Sequence, residues 1–205
     1  MNMSSISEVV TTLRSRLAPP DQAPMLAPPP EIASRPLRRA AVLLPLFEAN
    51  SQPCLLLIRR AATLRTHSGE IAFPGGSVDP QDRDPVMTAL REAQEEIGLA
   101  PERAEVLGLL PPSFTLVTNF WIIPVVAFLP SGPGPLTPQA AEVSEVICAP
   151  LPALADPRIF HSEVWDTAGW RRTVYFYEYG PYRIWGATAR ILHQLLSLLE
   201  ESTAH

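Results

Sequence analysis

Residues 84–98, DPVMTALREAQEEIG, carry the signals for both ends of one short helix. Asp84 is a natural N-cap, Pro85 suits the first helical position, and Gly98 supplies the C-terminal stop. At about 100° per residue, Val86, Leu90, Ala93 and Ile97 share one narrow apolar face. Glu92, Glu95 and Glu96 project along its flank at spacings of i, i+3 and i+4. A chain with such a helix must bury one narrow face and keep three carboxylates beside it.

Those carboxylates repel one another. No lysine or arginine lies four residues from Glu92 or Glu96, because positions 88 and 100 are Thr and Ala; Glu95 has Arg91. Two readings follow. One is a solvated acidic helix face. The other is a site for a hard divalent cation, since Mg²⁺ takes oxygen ligands, keeps several waters and shares substrate phosphates. Gly75-Gly76, just upstream, allows a sharp turn and close approach of the backbone to a ligand.

The segment 69–99 resembles the Nudix hydrolase box: a glycine, five residues, a glutamate, seven residues, then R-E-U-x-E-E-x-G-U with U apolar. Residues 91–99 (REAQEEIGL) match every fixed position. The first half departs. Six residues beyond Gly76 stands Asp82, and one residue too many separates it from Arg91; counting back from Arg91 reaches Arg83 and Ser77 instead. Upstream, Leu56-Leu57-Ile58-Arg59-Arg60-Ala61, Arg65, Gly69 and Phe73-Pro74-Gly75-Gly76 resemble the extra motif of the coenzyme A pyrophosphatase branch, L-L-T-x-R-[SA]-x3-R-x3-G-x3-F-P-G-G, with Ile58 in place of Thr. The inserted residue is expected of that branch, and residues 184–189 (IWGATA) resemble its closing helix. The resemblance spans roughly residues 38–200.

The resemblance implies an α/β/α sandwich with a mixed β-sheet between helices. It implies Mg²⁺ or Mn²⁺ held by Glu92, Glu95, Glu96 and the Gly76 carbonyl, with Arg91 steadying Glu95. The basic run Arg59, Arg60, Arg65 and His67 is either a solvated patch or a cradle for substrate phosphates; the upstream motif favours the cradle, with Gly69, Phe73 and Gly75 beside it. Glu142 and Glu145 are candidates for an extra acid delivered from outside the box. The implied reaction is hydrolysis of the pyrophosphate bond of coenzyme A or a derivative, giving 4′-phosphopantetheine and adenosine 3′,5′-bisphosphate. ADP-ribose, NADH or nucleoside triphosphates are alternative substrates, and a binding module without turnover is a reading from another class.

The remainder of the chain frames this segment. Residues 4–17 have the spacing of an amphipathic helix, expected to pack on the domain. Residues 18–36 hold seven prolines, which predicts an extended polyproline linker without helix. The division expected is residues 1–36 as helix and linker and 37–205 as the hydrolase domain. Residues 39–47 and 53–60 read as apolar strands of a hairpin turning over residues 48–52, with Pro45 marking a bulge or an edge. Residues 71–73, 104–110, 120–129 and 171–179 read as further strands, and 142–149 as the approach to one; residues 111–115 join two of them. Residues 131–138 predict a mobile Gly/Pro loop, 152–161 a short helix or turn, and 184–199 a closing helix.

Composition excludes some classes. The formal net charge of −5 does not suit a general nucleic-acid binder. No apolar run reaches the roughly 18 residues of a membrane span, and the N-terminus lacks a basic region followed by an apolar one. A cytoplasmic setting is the expectation. The two cysteines, Cys54 and Cys148, lie in apolar runs and read as buried, reduced thiols.

Overall fold

The computed structural model describes residues 5–22, 27–62, 67–115, 118–167 and 170–200. Ser5 caps the first helix, α1 (Ile6–Arg16), by accepting from the Glu8 N–H at 3.3 Å. Val9, Val10, Leu13 and Leu17 are buried in the main core, so α1 packs on the domain as its pattern predicts. The proline-rich stretch differs from expectation. Pro30 opens a one-turn helix, α2 (Pro30–Ala33), because its missing N–H sits where a helix has no partner for it.

β1 (Arg38–Ala49) and β2 (Gln52–Arg60) form the expected hairpin. Asn50 and Ser51 both have positive φ, 52° and 58°. This is the two-residue turn whose twist matches paired strands. β3 (Ile71–Ala72) pairs with β2, and β4 (Gly75–Ser77) pairs with β1. Then come α3 (Pro85–Ile97), β5 (Glu105–Leu109), β6 (Ser113–Thr115), β7 (Phe120–Phe128) and β8 (Val143–Pro150). The sheet runs β3-β2-β1-β7-β5, with β8 on the outside of β2 and β6 folded back on β7. β1 and β7 are parallel and the other pairs antiparallel, so the sheet is mixed.

Alternation along the strands divides the core in two. Leu44, Leu46, Leu55, Leu57 and Val126 face α1 and the closing helix. Leu43, Phe47, Leu56, Ile58, Val125 and Ala127 face α3. The small residues Ala89 and Ala93, fully buried, let α3 sit close to β1. The fold is thus the expected sheet between helices.

A second, three-stranded antiparallel sheet follows α4 (Leu151–Leu154): β9 (Phe160–Thr167), β10 (Trp170–Tyr179) and β11 (Tyr182–Trp185). The chain closes with α5 (Gly186–Glu200).

Several expectations are corrected. Pro45 lies in a central strand, not at an edge, and it falls where β1 changes partner from β4 (Ala40–Val42) to β2 (Leu46–Ala49). Leu43 donates to that side, to the Pro74 carbonyl at 2.8 Å; Pro45, two residues on, has no N–H to leave unpaired. Residues 113–115 are a strand rather than a joining segment, and β9 was not expected as a strand. Ile184 and Trp185 end β11 instead of starting the closing helix, which begins at Gly186 (φ 66°). Cys148 is exposed, because it sits on the outermost strand beyond the reach of α3; both thiols are free.

Candidate active site

The signals read at each end of α3 operate as expected. The Asp84 carboxylate accepts from the Met87 N–H at 2.8 Å, and Gly98 takes the left-handed conformation at φ 71°. The loop ahead of β8 docks on the helix C-terminus. Thr137 N–H donates to the Ile97 carbonyl and Gln139 N–H to the Glu96 carbonyl, both at 2.9 Å. These bonds satisfy carbonyls that a helix end leaves open. The Gly/Pro loop expected to be mobile is therefore tied down at its far end, and Glu142 is carried toward the carboxylates.

Asp82 is the hub that the irregular spacing left unassigned. Its side chain is 1% exposed and accepts from Arg91 Nε at 3.1 Å and Nη2 at 2.9 Å. Thr88 Oγ1 and the Asp79 N–H add two more donors, each at 2.9 Å. Four donors hold its pKa down at about 2, the Arg91 guanidinium contributing most. Arg91 in turn donates to the Ser77 carbonyl at 3.1 Å, Glu92 Oε1 at 2.9 Å and Glu95 Oε2 at 3.0 Å. One guanidinium thus ties the loop to two carboxylates of the helix. Glu95 is the most exposed of the three, at 56% of its side chain.

Glu96 has the opposite setting. It is 2% exposed and accepts one hydrogen bond, from the Gly75 N–H at 2.9 Å. Arg60 Nη1 stands 3.7 Å away, too far for a hydrogen bond. Burial raises the Glu96 pKa to about 7. The Glu92 carboxyl is also raised by burial, partly offset by Arg91. The charge of Glu142 pushes both upward, which places it near the pair. Read from the sequence, these glutamates lacked a cation; the fold provides Arg91 and Arg60 instead, but neither neutralises Glu96 fully.

Two glycines shape the wall opposite. Gly75 has φ 154°, and a Cβ there would stand 2.4 Å from the Ala41 carbonyl oxygen. A Cβ on Gly76 would stand 2.4 Å from Glu92 Oε2, so the carboxylate lies against the bare backbone. Among the described residues, no three of His, Cys, Asp and Glu converge tightly enough to hold an ion unaided. What does converge is Glu92, Glu96 and the backbone at Gly76, with Glu95 and Glu142 at the rim. An all-oxygen set of this size fits a hard cation that keeps waters and shares ligand phosphates.

The other residues singled out in the sequence are not all gathered here. Arg59 and Arg60 are consecutive on β2 and project to opposite faces. Arg60 faces Glu96. Arg59 faces Glu145 at 3.4 Å and lies over the Tyr182 ring at 5.2 Å. Tyr182 Oη also donates to Glu145, at 2.6 Å. Glu145 is therefore engaged away from Glu92 and Glu96. His67 Nδ1 pairs with Glu70 Oε2 at 2.9 Å, and Gly69 is exposed at the cavity beside Arg59. Phe73 is buried in the core cluster on the α5 side. Arg65 lies outside the described residues. The role of Asp82 as partner of Arg91, and of Thr88 as a further donor to Asp82, was missed; counting from Gly76 reaches Asp82, but nothing in the sequence pairs it with Arg91.

A NUDIX domain model matches residues 36–165. The chain is 42% identical over 170 residues to the uncharacterized Nudix hydrolase NudL of Photorhabdus laumondii, covering 83% of this chain and 89% of that one. It is 43% identical over 159 residues to NudL of Pectobacterium atrosepticum, covering 77% and 81%. Among solved structures, a NUDIX hydrolase from Alicyclobacillus acidocaldarius aligns with a TM-score of 0.53 at 21% identity, over 80% of this chain and 93% of that one. At that identity the likeness is one of fold.

Proposed function

The chain belongs to the Nudix hydrolase family as a pyrophosphatase, and on that premise we propose that it cleaves the pyrophosphate bond of coenzyme A or its derivatives. The products would be 4′-phosphopantetheine, or its acyl form, and adenosine 3′,5′-bisphosphate. The observation that carries this reading is the approach of Arg60 to Glu96, at 3.7 Å. It joins the upstream motif and the box into one site, so the arginine that marks the branch stands beside the carboxylates that mark the family.

Nudix hydrolases generally use divalent metal ions. In our reading Glu92, Glu96 and the Gly76 backbone hold such ions, Mg²⁺ or Mn²⁺, with Glu95 completing the set from the rim. When bound, they supply neutralisation of the diphosphate charge and acidify water toward neutral pKa. Arg91, anchored on Asp82 and the Ser77 carbonyl, fixes Glu92 and Glu95 in place. Arg60 is the cation positioned to meet a substrate phosphate oxygen, since it has no full hydrogen bond to Glu96 and its Nε is buried without a partner. Of the two outside acids, Glu142 is the one whose charge reaches Glu92 and Glu96, and it is our candidate for taking a proton from the attacking water. We take residues 37–205 as the catalytic domain, braced by α1. Among the described residues no helix is long and apolar enough to cross a membrane.

The test is product analysis after incubation with coenzyme A or ADP-ribose, in Mg²⁺, Mn²⁺ or EDTA. Adenosine 3′,5′-bisphosphate formed only with coenzyme A and metal supports the reading. Cleavage of ADP-ribose alone keeps the metal chemistry and overturns the substrate.

A further inference from the structure

β11 brings the C-terminal hairpin against β3, and a cavity of about 280 Å³ opens between them. Arg59, Gly69 and Ile71 form one wall; Tyr182, Arg183 and Trp185 form the other. The first wall belongs to the upstream motif. The second lies beyond residue 165, where the match to the NUDIX domain model ends; its Trp185 falls in the stretch likened to the branch's closing helix, which assigns it no role. The hairpin turns tightly at Gly180-Pro181, with Tyr179 opposite Tyr182, so the wall is set by a sheet rather than a loose tail.

Both guanidiniums at this cavity are already paired. Arg59 lies 3.4 Å from Glu145 and over the Tyr182 ring, while Arg183 Nε donates to Glu178 at 2.8 Å. Glu70 lines the cavity as well. Little positive charge is left over for a phosphate. What the cavity offers is two aromatic rings, an already stacked guanidinium and carboxylate edges. That combination suits a flat, neutral, hydrogen-bonding ring. Small-ligand clefts start near 300 Å³, so this one holds part of a ligand. It is also near the carboxylates. Ile71 lines it and Gly75 donates to Glu96; four extended residues span at most about 14 Å.

We propose that this cavity is the subsite for the purine base of the substrate, with Tyr182 and Trp185 as its stacking platform and the Arg59–Glu145–Tyr182 network holding that platform in place. The proposal rests on the reading of the chain as a hydrolase of an adenine-containing diphosphate. It moves Arg59 from the phosphate cradle to the base subsite.

Calorimetric titration of the full chain in EDTA with AMP, UMP and 4′-phosphopantetheine tests it without turnover. AMP binds more tightly than UMP. Tyr182→Ala and Trp185→Ala each weaken AMP about tenfold, as loss of one stacking ring does. Trp185→Phe, which keeps a ring, retains most of the affinity, an outcome a merely structural role would not require. In the unmodified chain AMP also quenches tryptophan fluorescence, a readout that stands even if the alanine variants fail to fold. No AMP binding, AMP affinity unmoved in both folded alanine variants, or loss of 4′-phosphopantetheine binding instead would overturn the assignment. Trp185-dependent AMP binding in a protein that cleaves ADP-ribose and not coenzyme A upholds the subsite and rejects the coenzyme A reading separately.

Discussion

Asp82 and Glu96 are both buried carboxylates beside α3, and both are served from Arg91 or Arg60. Asp82 takes four hydrogen bonds, two of them from one guanidinium, and its pKa falls to about 2. Glu96 takes one, with its arginine at 3.7 Å, and its pKa rises to about 7. Both side chains are closed to solvent, but Glu96 lies deeper and has fewer donors. A saturated carboxylate is a strut. An undersupplied one is costly to keep charged, and any cation that arrives is favoured. The difference separates the residue that builds the site from the residue that operates in it.

Replacing each in turn breaks the comparison at its widest. Glu96→Gln removes the charge that a divalent ion requires but keeps the shape and the acceptor for Gly75. Turnover should fall by about a thousandfold or more, the scale of several kcal/mol of metal-derived stabilisation. Steady-state kinetics alongside circular dichroism checks it, and a variant of near-normal activity would remove Glu96 from the metal set. Asp82→Ala acts in reverse. It leaves Arg91 with only Ser77, Glu92 and Glu95, strands the Thr88 and Asp79 donors and unties the loop, and it should lower unfolding stability by about 2 kcal/mol, measured by urea denaturation. If stability is untouched, the strut assignment is wrong.

Acidity sharpens the same contrast. Without metal, native Glu96 holds a proton that the unfolded chain releases above its ordinary value of 4.5. The native state therefore binds more protons across the window from 4.5 to about 7, and stability falls as pH rises through it, by about 3 kcal/mol at most. Asp82 contributes in the opposite sense: its stabilisation is present above 3.8 and is lost as pH falls toward 2. Denaturation in EDTA at pH 5 and pH 8 should show the first slope, and Glu96→Gln should flatten it.

What was legible in the sequence was local. Asp84, Pro85 and Gly98 bound α3 because capping depends on residues within one turn. The β1–β2 hairpin was legible for the same reason. The resemblance to the family carried the sheet between helices. What escaped depended on distant partners. A helical wheel places Glu96 on the flank, and the sheet then brings Gly75 and Arg60 onto it. Asp82 sat one residue out of register, yet a loop absorbs one residue easily. Pro45 read as a bulge or an edge because its neighbour β7 lies about eighty positions away in sequence. Arg59 and Arg60 read as one basic cluster, but consecutive strand residues must part company. Tyr182 and Arg183 carried no motif, and Trp185 read as the start of the closing helix rather than the end of a strand.

The placement of β1 also governs how the chain can assemble. Its pairing with β2 needs residues up to 55, but its parallel pairing with β7 runs from Arg38↔Phe120 to Leu46↔Phe128. During synthesis the hairpin can form early, while the other side of β1 waits for about seventy more residues. That side is a row of apolar residues with open backbone groups, the kind of edge that recruits other chains. Folding should be slow for the chain's length, as long-range parallel pairing demands. The yield of native protein should be most sensitive to crowding by other nascent chains before β7 emerges.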